Sequence, residues 1–208
     1  MARVRRPEAR PDEILDAALA VFGEVGFAAA RVEDIATRAG VSKGVIYLYF
    51  ESKEAMLKAL VRRLADGMVG AAEALVASGA AGGDTEKMLR TLITFMITQI
   101  SNPAASAAPR LVLAEAQRFP EIAAFYRDAV IARATLVITG LLKRGVAEGV
   151  FRNIDPAVLL RACAGPMLVH MFLGTVFADP DKPAPPPETI AAGIADLIFN
   201  GIKTRHSP

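Results

Sequence analysis

The sequence predicts an all-α fold. Three observations carry that reading: apolar residues recur at helical spacing, prolines and glycines cut the chain into segments of helical length, and neither strand-like alternation nor an internal repeat is present. The first helix starts near Pro11, where Asp12 and Glu13 suit the positive end of its dipole. Its apolar stripe is Leu15, Ala18, Phe22 and Val25, and Gly26 ends it with Phe27 folding back. A short helix from Val32 to Ala39 stops at Gly40, and another opens after Ser42, a good N-cap. A fourth begins at Ser52 and carries Leu57, Leu60, Val61, Leu64 and Met68 at helical spacing. The stretch Ser78 to Asp84 (SGAAGGD) breaks the helical run. Helices are then expected at 85–101, 109–119, 121–148, 155–177 and 188–203, about nine in all. Asp155-Pro156 supplies a cap followed by an N1 proline, and Gly149 closes the preceding helix. Of the 13 prolines only Pro166 is expected inside a helix, and DPDKPAPPP from Asp179 to Pro187 excludes both helix and central strand.

With 208 residues, 53% hydrophobic and 22% charged, the chain can bury a sizeable core in one large domain or two small ones. Its formal charge of +2 excludes a histone-like carpet of positive charge. The balance is uneven: residues 1–64 hold 11 Lys/Arg against 9 Asp/Glu, and 65–208 hold 13 against 13. Arg3, Arg5, Arg6 and Arg10 face only Glu8, so residues 1–10 read as a flexible basic arm with a leaning toward a polyanion. The single cysteine, Cys163, builds neither a disulfide framework nor a zinc site. The N-terminus lacks the apolar core of a secretory signal, and the expected location is the cytoplasm. Ala162 to Ala178 is uncharged but short for a membrane span and interrupted by Pro166, His170 and Gly174, so it is expected to be a buried helix.

The informative stretch is Val32 to Phe50, two short helices joined by Ala39-Gly40-Val41-Ser42. Gly40 permits the positive φ of a tight turn, and the pair reads as a helix-turn-helix. Ile46 and Phe50 share one face of the second helix and should pack on Ile35 and the first helix; Gly44 and Leu48 lie nearly opposite, with Tyr47 and Tyr49 on the flanks. That outward face suits a DNA groove. Gly44 admits close backbone approach, Val45 and Leu48 meet thymine methyls, Lys43 reaches base acceptors or phosphate, and the two tyrosines donate to phosphates. Ser42 caps the helix. Lys53 opposes the dipole of the next helix, and a nearby phosphate would account for it. Taken singly, the tyrosines read as half-buried core and Lys53 as a surface charge; the turn and Lys43-Gly44 favour DNA.

These residues resemble the tetracycline-repressor (TetR) family of transcription regulators. The likeness runs from Ile14 to Leu57: Ile-Leu-Asp-Ala-Ala at 14–18, Phe22, Gly26-Phe27, Asp34-Ile35-Ala36, Ala39 to Gly44, Ile46-Tyr47, Tyr49-Phe50 and Ser52-Lys53-Glu54. Leu113 to Tyr126 (LAEAQRFPEIAAFY) is similar to one common C-terminal subtype. Two departures stand out. Ala30 and Arg31 occupy the place where the family usually has a Thr or Ser cap, so Arg31 would take over the phosphate contact at a cost of about 1 kcal/mol in lost capping. Val45 stands where Thr or Ala is common, so an operator preference is not inherited.

The resemblance implies an N-terminal three-helix DNA-binding domain (11–57) and a C-terminal regulatory and dimerisation domain (58–208), joined by a linking helix at about 52–76. It further implies a homodimer that represses from a palindromic double-stranded operator and is released by a small, hydrophobic effector. The sequence supports pairing independently. The last helix carries Ile190, Ile194, Leu197, Ile198 and Ile202, and the one before it is apolar nearly all round with small Ala162, Ala164 and Gly165. Candidate effector-site residues are Phe95, Met96 and Gln99 on one helix, Phe125 and Tyr126 on another, and Met167, His170 and Met171 on a third. The plain alternative for each, His170 included, is a satisfied core position.

Two rival classes remain. An enzyme finds little inventory: His170 and His206 are the only histidines, and no phosphate loop, metal-ligand spacing or nucleophile motif is present, so no cofactor is expected. Glu115, conspicuous in an apolar run, is expected to pair with Arg118 three residues on. The other rival is a DNA-binding protein without an effector.

Overall fold

The computed structural model describes residues 10–79, 83–179, 181–182 and 184–202. The arm expected at 1–10 lies outside the described residues except for Arg10, as do His206 and the end of the last helix. The elements are α1 (Arg10–Val25), α2 (Val32–Ala39), α3 (Lys43–Tyr47), α4 (Lys53–Leu64), α5 (Gly70–Gly79), α6 (Thr85–Ser101), α7 (Pro103–Glu115), α8 (Pro120–Tyr126), α9 (Ala132–Ala147), α10 (Pro156–Thr175) and α11 (Pro187–Ile202). A π-helical turn, Ala65–Val69, carries α4 into α5, and a second, Arg127–Ile131, carries α8 into α9. Among the described residues this makes nine continuous helical rods and no β-strand, the all-α architecture that the spacing predicts.

The chain forms two compact units, one from residues up to Leu64 together with Ala107–Ala129, the other from Ala65–Ser106 and the chain from Val130 onward. The first unit is therefore larger than the expected 11–57. Its centre is Phe27. Gly26, at φ 79°, ends α1 and turns Phe27 under Phe22, whose ring meets it edge-on at 5.1 Å. From the other side Phe119 packs edge-on at 4.8 Å, and Ile122 beside it is fully buried. The Arg62 guanidinium lies 5.6 Å from the centre of the Phe125 ring. These partners stand far from Phe27 in sequence, so no local pattern assigns residues 107–129 to the N-terminal core. On α1, Leu15, Ala18 and Phe22 are buried as expected, but Val25 is half-exposed at the helix end.

In the second unit Leu89, Ile97, Leu141, Phe151, Leu159 and Phe199 are buried together. Phe151 reaches the core because Gly145 leaves room: a Cβ there would meet the Phe151 ring. The true start of α7 corrects the expected 109–119. Asn102 accepts from the N–H groups of Ala104 and Ala105 and Pro103 follows it, a cap-then-proline signal like that of Asp155 and Pro156. Pro109 consequently sits inside α7, a second internal proline besides Pro166. The expectation of a buried α10 is also corrected. By length and composition α10 could cross a membrane, yet in this chain only Leu159 and Met171 on it are buried. On α11 the core face is Ala191, Ala195, Ile198, Phe199 and Ile202, whereas Leu197 points outward at 76% exposure.

Candidate nucleic-acid interface

The turn between α2 and α3 is built by its glycine. Gly40 takes φ 66°, its N–H donates to the Thr37 carbonyl, and the next amide, Val41, reaches back to Ala36. Ser42 then caps α3, its Oγ accepting from the Val45 N–H at 3.4 Å. The second helix is shorter than the helical spacing through Phe50 predicts. It ends at Tyr47, and Leu48 and Tyr49 continue as a turn whose amides return to Val45 and Ile46. Ile46 and Ile35 are fully buried and Phe50 is half-buried, which fixes the orientation of α3.

The opposite face is open. Leu48 is 79% exposed, Tyr47 47% and Tyr49 41%, so the phenol rings flank the tip rather than sealing into the core. A Cβ at Gly44 would meet only Ser42 Oγ, at 3.8 Å, so nothing among the described residues demands glycine there. Val45 is half-buried and Arg31 exposed. Arg31 opens α2 in extended backbone (φ −112°, ψ 148°) without a side-chain cap; its carbonyl accepts from the Asp34 and Ile35 amides.

Both lysines have partners. Lys43 donates to Glu33 and lies 5.7 Å from the centre of the Tyr47 ring. That hydrogen bond holds the Glu33 carboxyl below the usual carboxylate range and raises the Lys43 ammonium. Lys53 donates to three carbonyls of the α1–α2 loop, Phe27 at 2.8 Å, Ala28 at 2.9 Å and Ala30 at 3.3 Å. A cation at the start of α4 is therefore explained without phosphate: it ties down the loop that leads to Arg31. Glu115 holds the same loop from behind, accepting the Phe27 N–H at 3.1 Å instead of pairing with Arg118. Glu115 thus takes a partner 88 residues away where the spacing predicts one on its own helix, and Glu33 carries no motif that marks it. Its signal in the sequence is position: an acid ten residues before Lys43, across a glycine turn.

The expected effector residues divide between the units. Phe95, Met96 and Gln99 on α6, with Met167 and His170 on α10, are half-buried in the second unit, where α6 and α10 pack together; Met171 is buried. Phe125 and Tyr126 belong to the first unit, and burial pushes the Tyr126 hydroxyl up. His170 has a partner. Ser101 Oγ donates to the Ile97 carbonyl at 2.7 Å, so at its 2.8 Å contact with His170 Nε2 it accepts, and in the neutral ring Nδ1 is the acceptor. Burial pushes the half-buried Cys163 thiol up to about 12, which removes it as a nucleophile at neutral pH. A groove of about 370 Å³ lies between α10 and α11, lined by Val158, Leu159, Ala162, Pro166, Ile194, Leu197 and Ile198 with Arg152 at its edge, and includes none of the expected effector residues.

Comparison with known proteins agrees with this geometry over most of the chain. Residues 14–60 match the family described as bacterial regulatory proteins, tetR family, and residues 80–197 match the tetracyclin repressor-like C-terminal domain. The HTH-type transcriptional repressor KstR2 of Rhodococcus jostii is 32% identical over 204 residues, covering 95% of this chain and 93% of that protein. Among solved structures, the ketosteroid transcriptional regulator KstR2 of Mycobacterium tuberculosis superposes with a TM-score of 0.72 at 24% identity, covering 98% of each chain. FadR of Bacillus subtilis in complex with stearoyl-CoA does so with 0.71 at 20% identity, covering 92% of this chain and 98% of that one. The family matches together span more than half of the chain, and the first of them contains the whole helix-turn-helix. The chain belongs to the TetR family of transcriptional regulators.

Proposed function

We propose that this regulator is a cytoplasmic, ligand-responsive repressor that binds a palindromic operator as a homodimer and is released by a hydrophobic small molecule. The observation that carries the DNA half is the tip of α3: Leu48 and the two tyrosines exposed around a glycine that packing among the described residues does not require. In this reading Lys43, Val45 and Leu48 meet base edges, Tyr47, Tyr49 and Arg31 meet phosphates, and Ser42 and Gly44 set the helix and its distance from the groove. Lys53 serves by holding the loop before Arg31. The dimer half rests on α10 and α11, whose outward Val158, Val169, Leu173 and Leu197 leave a broad apolar face for which a second copy is the natural cover. Paired heads would then read half-sites about 34–36 Å apart, or a multiple of that.

The effector site is assigned to the second unit, among Phe95, Met96, Gln99, Met167 and His170. The Ser101–His170 hydrogen bond gives that apolar region a polar group to exchange with a ligand. One structural neighbour is described as a ketosteroid transcriptional regulator and another is in complex with stearoyl-CoA, which makes steroid-derived and fatty-acyl compounds the first classes to test. Binding of effector and operator must oppose each other reciprocally, a coupling typically worth about 1–3 kcal/mol. The deciding experiment is selection of bound duplexes from random DNA. A palindrome is expected; Leu48→Ala should return a different site, and Tyr47→Phe should weaken all sequences alike. A protein that retains no duplex even at low ionic strength overturns the reading.

A further inference from the structure

Three cations on the first four helices are neutralised from within: Arg38 by Glu24, Arg63 by Asp12 and Asp16, and Lys43 by Glu33. The last pair differs in position. Lys43 is the first residue of α3, and Glu33 stands in the first turn of α2, beside the exposed Arg31. Both partners are open to solvent, with side chains 49% and 57% exposed, so the pair contributes little to holding the two helices together. It does fix where the Lys43 charge sits, over the Tyr47 ring on the flank of α3.

We infer that Glu33 attenuates DNA binding by competing with DNA for Lys43. The inference rests on α3 being the DNA-facing helix. When Lys43 turns toward a phosphate or a base acceptor, it leaves a bare carboxylate beside a polyanion; when it stays, its charge is already spent. Either way one cation of the head is discounted. The discount weighs most on non-specific DNA, where affinity is almost wholly electrostatic, so Glu33 widens the gap between operator and random sequence. Arg31, two residues before Glu33, also lies within electrostatic reach of that carboxylate, but makes no ion-pair contact with it, so the larger part of the discount falls on Lys43.

The test is a two-by-two set, wild type, Glu33→Gln, Lys43→Gln and the double variant, each titrated with random-sequence duplex DNA over a range of salt concentrations. Glu33→Gln should tighten binding by roughly two- to fivefold at low salt, the scale of one unit-charge contact in water. Its plot of log affinity against log salt should steepen by about one. In the Lys43→Gln background the same change should gain much less. No gain from Glu33→Gln, or an equal gain in both backgrounds, overturns the competition and leaves the DNA interface standing. A wild-type protein that ignores the duplex at low salt overturns the interface itself, and this inference with it. Thermal melts of the four proteins separate a folding defect from a charge effect, since loss of fold cannot steepen the salt dependence.

Discussion

Two places on this molecule leave large apolar side chains in water, and they differ in what surrounds them. At the tip of α3, Tyr47, Leu48 and Tyr49 form a narrow patch beside Lys43 and Gly44. On α10 and α11, Val158, Val169, Leu173 and Leu197 belong to a broad face with small residues between them and few charges. Exposure alone says only that a partner is missing. The flanking chemistry is what separates the two: a cation and a backbone left open at one site suit a groove lined with anions, whereas a face of hydrocarbon suits more hydrocarbon, as the proposed function has it. The two surfaces also rest on different cores, and that difference can be broken from either side.

The largest effect is expected in the head. Phe27 is fully buried, touches Phe22 and Phe119 edge-on, and takes hydrogen bonds on both its amide and its carbonyl. Phe27→Ala should cost about 3–5 kcal/mol, read as a drop in the denaturant midpoint accompanied by loss of DNA binding. In the second unit, Gly145→Ala would place a methyl at 2.1 Å from Phe151 Cδ2, far inside contact distance. Because the neighbour is a core ring, the strain should cost about 1–3 kcal/mol, visible in the same titration. If Gly145→Ala were neutral, the Phe151 ring would have to move readily, and the core of the second unit would be looser than its burial implies.

How much could be read from residues alone follows the range of the interactions. Gly26, Gly40, Ser42, Ile46 and the Asp155-Pro156 cap act within a few positions, and each does what its spacing predicts. The head also has a dense motif, and the exposure of Tyr47, Leu48 and Tyr49 follows from the spacing that buries Ile46. Partners far apart in sequence were another matter. Glu115 reaches Phe27 across 88 residues, and residues 107–129 join the head through Phe119 and Ile122, which carry no special local mark. Phe199 is not marked by spacing, because the Ile and Leu residues around it have the same period, and only packing on α6 decides which side of α11 faces inward. The α10 expectation failed for a related reason. A helix apolar on all sides was read as buried, but one chain supplies neighbours for only part of its surface.

The smallest expected effect concerns how each unit is tied. In the head, Lys53 and Glu115 hold the backbone of the α1–α2 loop, whereas in the second unit the side chain of Arg133 grips two others, Glu73 at 2.8 Å and Asp66 at 2.9 Å. Asp66 lies in one π-helical turn, and Arg133 follows two residues after the other. The Arg133 hydrogen bonds hold the Glu73 carboxyl below its ordinary value of 4.5. A carboxylate whose folded value is depressed stabilises the fold at neutral pH, and that contribution disappears as acid drives the pH down through the folded value. Glu73→Gln should therefore cost only about 0.2–1 kcal/mol at pH 7, since both side chains are partly solvated. The gap between wild type and variant should close as the pH falls below 4.5. A gap that persisted in acid would mean that Glu73 acts by packing over Arg133 and not by charge, and the contrast between the two kinds of tie would then reduce to geometry.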